Sequence, residues 1–275
     1  MRNHSTLTIN EQLAATAFDK QAAVFDELYS SNTIIQYKRD RVRKHLMERL
    51  KPGSQILELN AGTGEDALYL AGKGYRVHAT DISKKMLTKL EDKRRKAGLE
   101  HLVSSECCSF SELDQLNERG PFDMIFSNFG GLNCSAGLED VLHQFSPVLK
   151  PGGLVTLVIL PPFCFWEFLL VFKGKFKTAF RRFFAHKGRI AHIEGEYFRC
   201  WYYSPGEVIK ILKNEFEPDA VEGLCSLVPP SYLEGFAEKY PTLYRLLEKA
   251  EQNVKRNWPW NRIGDYFIIS LRKRI

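Results

Sequence analysis

A short apolar strand, a glycine turn and a helix start follow one another in Ile56-Leu57-Glu58-Leu59-Asn60-Ala61-Gly62-Thr63-Gly64-Glu65-Asp66. The next apolar run, Arg76 to Asp81, ends on an acid. Strand, glycine turn, helix, strand and acid make a βαβ unit of the nucleotide-binding kind. Such a unit constrains the fold strongly, because parallel strands joined through helices need a sheet covered on both faces.

Two cofactors compete for this pattern. Gly62-x-Gly64-x-x-Ala67 fits a dinucleotide fingerprint, with Asp81 on a ribose diol. A dinucleotide places its pyrophosphate at the helix N-terminus. Here that turn carries Glu65 and Asp66. Two carboxylates repel a phosphate there, at a cost on the order of 1 kcal/mol or more per close pair. An adenosine cofactor without a phosphate fits better. S-adenosylmethionine is one, and its ammonium gives the strand-end carboxylate Glu58 a purpose. Asp81 keeps the ribose diol, since one carboxylate accepts from two hydroxyls.

At this point the chain resembles the class I S-adenosylmethionine-dependent methyltransferases of small-molecule type. Their first motif, acid-x-Gly-x-Gly-x-Gly, stands here as Glu58 to Gly64 with Asn60 in place of the first glycine. Asparagine tolerates positive φ, so the turn can survive the exchange. Asp81-Ile82-Ser83 resembles the second motif, in which the acid binds ribose and the next residue packs on adenine. Cys107-Cys108-Ser109-Phe110 stands where the family contacts the adenine edge, without the acid common there. Phe122 to Asn128 resembles the fourth strand, and Leu149-Lys150-Pro151-Gly152-Gly153 the turn into the fifth. The likeness is strong over residues 51–160. It implies cofactor contacts from Glu58, Asn60, Gly62, Thr63, Gly64, Asp81, Ile82, Cys108, Ser109, Phe110 and Asn128. It also implies a Rossmann-like, doubly wound α/β sheet of seven strands, the last antiparallel.

The middle of the chain alternates strand and helix: strand near 55–60, helix 65–73, strand 76–80, helix 83–97, strand near 102–107, helix near 111–118, strand 122–127, helix 138–149, strand 154–160. Residues 11–50 predict two helices that the family would fold over the cofactor. Phe18, Tyr29 and Tyr37 are their lid candidates, with Tyr37 taken as a cofactor contact and Phe25 as core. Lys38, Arg39, Arg41, Arg43 and Lys44 read as a solvated face, from which one cation can meet the cofactor carboxylate. The expected division is a helical lid 1–50, a core 51–160, a cap 161–203, and a closing part 204–275 with a helical insertion at 229–260.

Charge is uneven. The net +6 falls to −1 without Lys173, Lys175, Lys177, Arg181, Arg182, Lys187 and Arg189, which lie in an acid-free stretch between Glu167 and Glu194. Phe172, Phe176, Phe180 and Phe184 recur every four residues there, predicting one aromatic helical face flanked by cations. Three readings fit it: a cap with a solvated basic face, a substrate lid, or contact with a membrane surface or nucleic acid through 163–189. Six cysteines without zinc-type spacing, and no leader or membrane-spanning run, predict free thiols, no metal, and a cytoplasmic setting.

Methyl transfer needs an acceptor atom held in line at roughly 3 Å, and a base only where that atom carries a proton. His192 and Glu194 are the base candidates, with His186 behind them and His143 read as a surface residue. The place after the fourth strand holds Asn128-Phe129-Gly130-Gly131, not the Asn/Asp-Pro-Pro-Tyr of enzymes that methylate base amines. No Pro-Cys nucleophile of the cytosine-C5 enzymes occurs. The expected acceptor is a small or medium-sized metabolite, aromatic or lipid-like. An RNA-associated protein and an NAD-dependent oxidoreductase are the competing readings.

Overall fold

The computed structural model describes residues 8–185, 187–233 and 235–275. Three helices, α1 (Ile9–Gln21), α2 (Phe25–Ser30) and α3 (Thr33–Met47), precede β1 (Gln55–Leu59). The alternating part continues as α4 (Glu65–Ala71), β2 (Arg76–Asp81), α5 (Lys84–Lys96), β3 (Val103–Cys107), β4 (Phe122–Ser127), α6 (Leu138–His143), α7 (Phe145–Val148) and β5 (Leu149–Ile159). The segment expected to form a cap carries α8 (Phe165–Phe168), α9 (Phe176–Ala179) and the hairpin β6 (Arg189–Ile193) with β7 (Glu196–Cys200). The chain closes through α10 (Pro205–Leu212), β8 (Phe216–Leu224), α11 (Phe236–Lys239), α12 (Pro241–Val254) and β9 (Tyr266–Lys273).

The main sheet has seven strands in the order β3-β2-β1-β4-β5-β9-β8. β1 to β5 run parallel, and β9 is antiparallel to both its neighbours. This is the expected Rossmann-like, doubly wound arrangement. Each inner strand is apolar on both faces, as a sheet between two helical layers requires. Leu57, Leu59, Ile125, Val155, Leu157, Phe267 and Ile269 enter one core. Ile56, Met124, Phe126, Leu154, Val158 and Ile268 enter the other. Ser83 caps α5, and Ser204 closes a capping box with Glu207 around a proline-started α10, as their sequences suggest.

Several local expectations differ. The helix near 111–118 is one 3-10 turn, Leu113–Gln115. The helix over 138–149 breaks at Gln144, and Leu149 already belongs to β5, beside Phe122. The leading segment forms three helices, because the first of the two expected runs breaks in a turn at residues 22–24, between α1 and α2; Asn32 caps α3 by accepting from the amides of Ile34 and Ile35. Lys38, Arg39 and Arg41 are buried rather than solvated. Acids distant in sequence draw them in: Asp265 for Lys38 at 2.7 Å, Glu251 for Arg41 at 3.0 Å and Asp66 for Arg39 at 3.7 Å.

The four-residue phenylalanine repeat does not build one helix. Gly174 takes a left-handed conformation at φ 69° and ends the first turn. Lys173 and Lys177, four apart, would also repel on a continuous helix. Arg181 and Arg182 are not free for an anionic partner. Glu167 receives both, at 2.5 Å and 2.6 Å, and Arg182 also reaches Asp265 at 2.9 Å.

Candidate cofactor and acceptor site

The turn after β1 carries three residues with positive φ: Asn60 at 56°, Gly62 at 56° and Gly64 at 80°. Asparagine therefore does adopt the conformation that its place demands. Gly64 is required twice over, since a Cβ there would lie 2.6 Å from Cγ of the buried Leu90. Gly131 allows the loop after β4 to approach the turn; its Cβ would meet Asn60 at 2.4 Å. Asn60 donates to Ser127 Oγ at 2.8 Å, which ties the turn to the end of β4.

A cavity of about 930 Å³, counting its open mouth, sits over this rim. Glu58, Asn60, Gly62, Thr63, Asp81, Ile82, Ser109, Phe110 and Asn128 line it. Asp81 accepts from the backbone amides of Gly62 at 2.9 Å and Ser83 at 2.8 Å. Each carboxylate oxygen keeps a further lone pair for a ribose hydroxyl. Burial raises the Asp81 carboxyl above its ordinary pKa, against the lowering effect of those amides.

Glu58 is 3% exposed, and its Oε2 has no hydrogen-bond partner. Burial, and then the nearby Asp66 charge, lift its pKa well above the carboxylate range, with Arg39 and Arg43 opposing. Asp66 is already engaged. It accepts from Arg43 at 2.8 Å and from Asn128 at 2.7 Å. Glu58 is thus a carboxylate facing the cavity and short of a cation, which fits the ammonium end of S-adenosylmethionine.

Helices α1 and α2 roof the cavity. Asp19 accepts from Ser83 Oγ at 2.5 Å, and Asp26 from Thr63 Oγ1 at 2.5 Å. Lys93 bridges Asp26 at 2.8 Å and Glu65 at 2.5 Å. Phe18 lines the cavity, and so does Phe25, which the sequence placed in the core. Tyr29 packs edge-on against Phe25 at 4.7 Å.

Other expected site residues stand elsewhere. Tyr37 bonds Glu251 at 3.0 Å and takes a bond from Arg41 at 2.9 Å, within a cluster formed with the C-terminal insertion. Its hydroxyl is spent on that ion pair, so it does not contact the cavity. Cys108 lies under the rim in the first core, its Sγ directed at the Ser109 and Glu112 carbonyls. Cys107 is exposed. Gly64 shapes the turn without lining the cavity. His192 and Glu194 are exposed on the β6–β7 hairpin, His192 stacked on Tyr197 at 4.5 Å. They are outside the cavity because that hairpin turns its far end to solvent. His143 is exposed near Glu139 and Glu215, and His186 lies outside the described residues.

Glu11, Ala14, Arg39, Asp66, Met86, Phe129, Gly131 and Cys134 line the cavity without having been singled out as contacts. Glu11 had a visible signal, since Thr8-x-x-Glu11 is a capping-box sequence. Its Oε2 accepts from the Thr8 amide at 2.8 Å, while Oε1 is buried and unpartnered. One buried trio, Cys164, Glu167 and Asp265, has spacing suited to a metal. Arg182 and Lys38 already neutralise its carboxylates, so the donor set favours an internal ion network.

A methyltransferase domain model matches residues 56–153, from β1 to the turn within β5. Over that stretch the chain is similar to the class I S-adenosylmethionine-dependent methyltransferase superfamily. A demethylmenaquinone methyltransferase of Beutenbergia cavernae is 32% identical over 166 residues, covering 58% of this chain and 63% of that protein. For eight such curated relatives, the match spans from 38% to 73% of their own length. The fold of the [4+2]-cyclase SpnF superposes with a TM-score of 0.63 at 18% identity, over 97% of this chain and 96% of that one. A 1,6-didemethyltoxoflavin-N1-methyltransferase of Burkholderia thailandensis, solved with bound 1,6-didemethyltoxoflavin and S-adenosylhomocysteine, gives a TM-score of 0.57 at 15% identity, over 99% of this chain and 93% of that one. Similarity at these identities establishes the superfamily's fold, not a reaction. No helix among the described residues is long and apolar enough to cross a membrane.

Proposed function

We propose that this protein is a class I methyltransferase that transfers the methyl group of S-adenosylmethionine to a small or medium-sized aromatic or lipid-like metabolite. The buried, unpartnered Glu58 carboxylate carries the reading, because it asks for a cation where a dinucleotide has none. When bound, the cofactor supplies an electrophilic methyl carbon. Asp81 holds the ribose diol, Glu58 the ammonium and Arg39 the carboxylate. Ile82 and Met86 pack on the adenine, and Ser109 and Phe110 border it.

The acceptor half of the cavity is walled by Ala14, Phe18, Phe25 and Phe129. These surfaces suit an apolar ring or chain and exclude water. Glu11 Oε1 is the acceptor-side group that can hold a proton, taking the place the sequence reading gave to His192 and Glu194. Orientation by the roof supplies most of the rate, and Glu11 matters only for an acceptor that must lose a proton.

Calorimetric titration with S-adenosylmethionine, S-adenosylhomocysteine and NAD(H) tests the cofactor. Methyl-labelled S-adenosylmethionine with quinols, phenols and amines of graded size then tests the acceptor. Binding of NAD(H) in preference to both adenosyl ligands would overturn the proposal.

A further inference from the structure

The broken cap presents an unusual tip. Residues 172–177, Phe172-Lys173-Gly174-Lys175-Phe176-Lys177, are all exposed. Phe172 is 83% exposed, Phe176 58% and Phe184 76%. Among the described residues, Lys173, Lys175 and Lys177 have no acidic partner. Beneath them the cap is solid. Phe163, Phe168, Phe180 and Phe183 pack ring on ring at 5.4–6.1 Å. Glu167 pins Arg181 and Arg182 from below.

A soluble surface gains nothing from three phenyl rings standing in water. The side chains that turn outward combine apolar rings with flexible point charges. The guanidinium forks, which grip phosphate in nucleic acids, turn inward. Rings sunk below lipid headgroups, with ammonium groups extended to the phosphates, satisfy both components at once. We propose that the tip formed by Phe172, Phe176, Phe184 and the lysines between them docks the protein on an anionic membrane surface. The inference stands on the tip alone, independently of the acceptor.

The test is co-sedimentation of the full chain with vesicles of phosphatidylcholine, alone or mixed with phosphatidylglycerol, at low and high salt. Binding to the mixed vesicles is expected, weakened by salt. The triple variant Lys173→Gln, Lys175→Gln, Lys177→Gln should lose about fivefold in partitioning per lysine. Phe172→Ser with Phe184→Ser should abolish binding while S-adenosylmethionine affinity and circular dichroism stay unchanged. Absence of binding, equal binding to both vesicle types, or unchanged binding by the lysine variant would overturn the proposal. So would salt-steep binding of mixed-sequence RNA that displaces the vesicles, which would hand the tip to nucleic acid. Loss of S-adenosylmethionine binding with vesicle binding retained would refute only the proposed activity.

Discussion

Glu58→Gln should make the cofactor-free protein more stable and its cofactor binding weaker. The wild-type carboxylate is buried, lacks a partner at Oε2 and has Asp66 nearby. Glutamine keeps the shape and, at a pH above the raised folded value, removes the charge. Relief of an uncompensated buried charge is worth about 1–3 kcal/mol. For a chain of this size that is a rise of about 2–6 °C in melting temperature. The ammonium of S-adenosylmethionine loses a charge-assisted bond of about 1.5–3 kcal/mol, or about 10- to 150-fold in affinity. Differential scanning calorimetry and titration calorimetry read the two effects separately. The pH dependence has a definite sign. The folded pKa is raised, so the protonated carboxyl favours folding at low pH, and that stability is lost as pH rises through the folded value. The ammonium needs the ionised form, so wild-type affinity should fall as pH drops through the same value, and the Gln variant should lose that dependence. A variant that melts lower and binds as wild type would refute the reasoning.

Three further outcomes follow from the geometry. Asp81→Ala removes the acceptor of two turn amides and should abolish S-adenosylmethionine binding while the circular dichroism of the sheet persists; unchanged affinity would remove Asp81 from the site. Gly64→Ala combines left-handed strain with a Cβ in Leu90 and should cost about 2–5 kcal/mol in denaturant unfolding. Arg182→Ala leaves Glu167 with Arg181 alone and Asp265 with Lys38 alone and should cost about 1.5–3 kcal/mol, with Arg182→Lys recovering only part, since one ammonium cannot span both acids.

The cofactor half of the molecule was legible because its chemistry is local. Glycine, asparagine and the strand-end acids act within a few residues of one another, and the parallel sheet then gathers them on one rim. The roof was half legible. Periodicity announced helices, but whether Tyr37 or Phe25 reached the cavity depended on partners such as Glu251, more than two hundred residues away. The cations of α3 were misread for the same reason: burial of Lys38 and Arg41 is decided by Asp265 and Glu251. In the cap, a regular phenylalanine spacing suggested one face, and a single left-handed glycine redistributed the rings between the interior and the surface. Glu11 was visible as a capping-box acid but not as a cavity residue, because such an acid is ordinarily exhausted by its cap, and here one oxygen remains.

The final strand of the chain is not at the margin of the sheet. β9 slots between β5 and β8, and the Lys38–Asp265 pair spans 227 residues beside it. On the ribosome, α3 therefore emerges with buried-type cations whose counter-charges have not yet been made. Helix α3, which brings Arg39 to the cavity, cannot settle until β9 has been translated and threaded into its slot. Synthesis of β9, rather than completion of the βαβ core, sets the moment at which α3 can settle, and a chain cut short before Asp265 should leave Lys38 unpaired however intact its glycine turn.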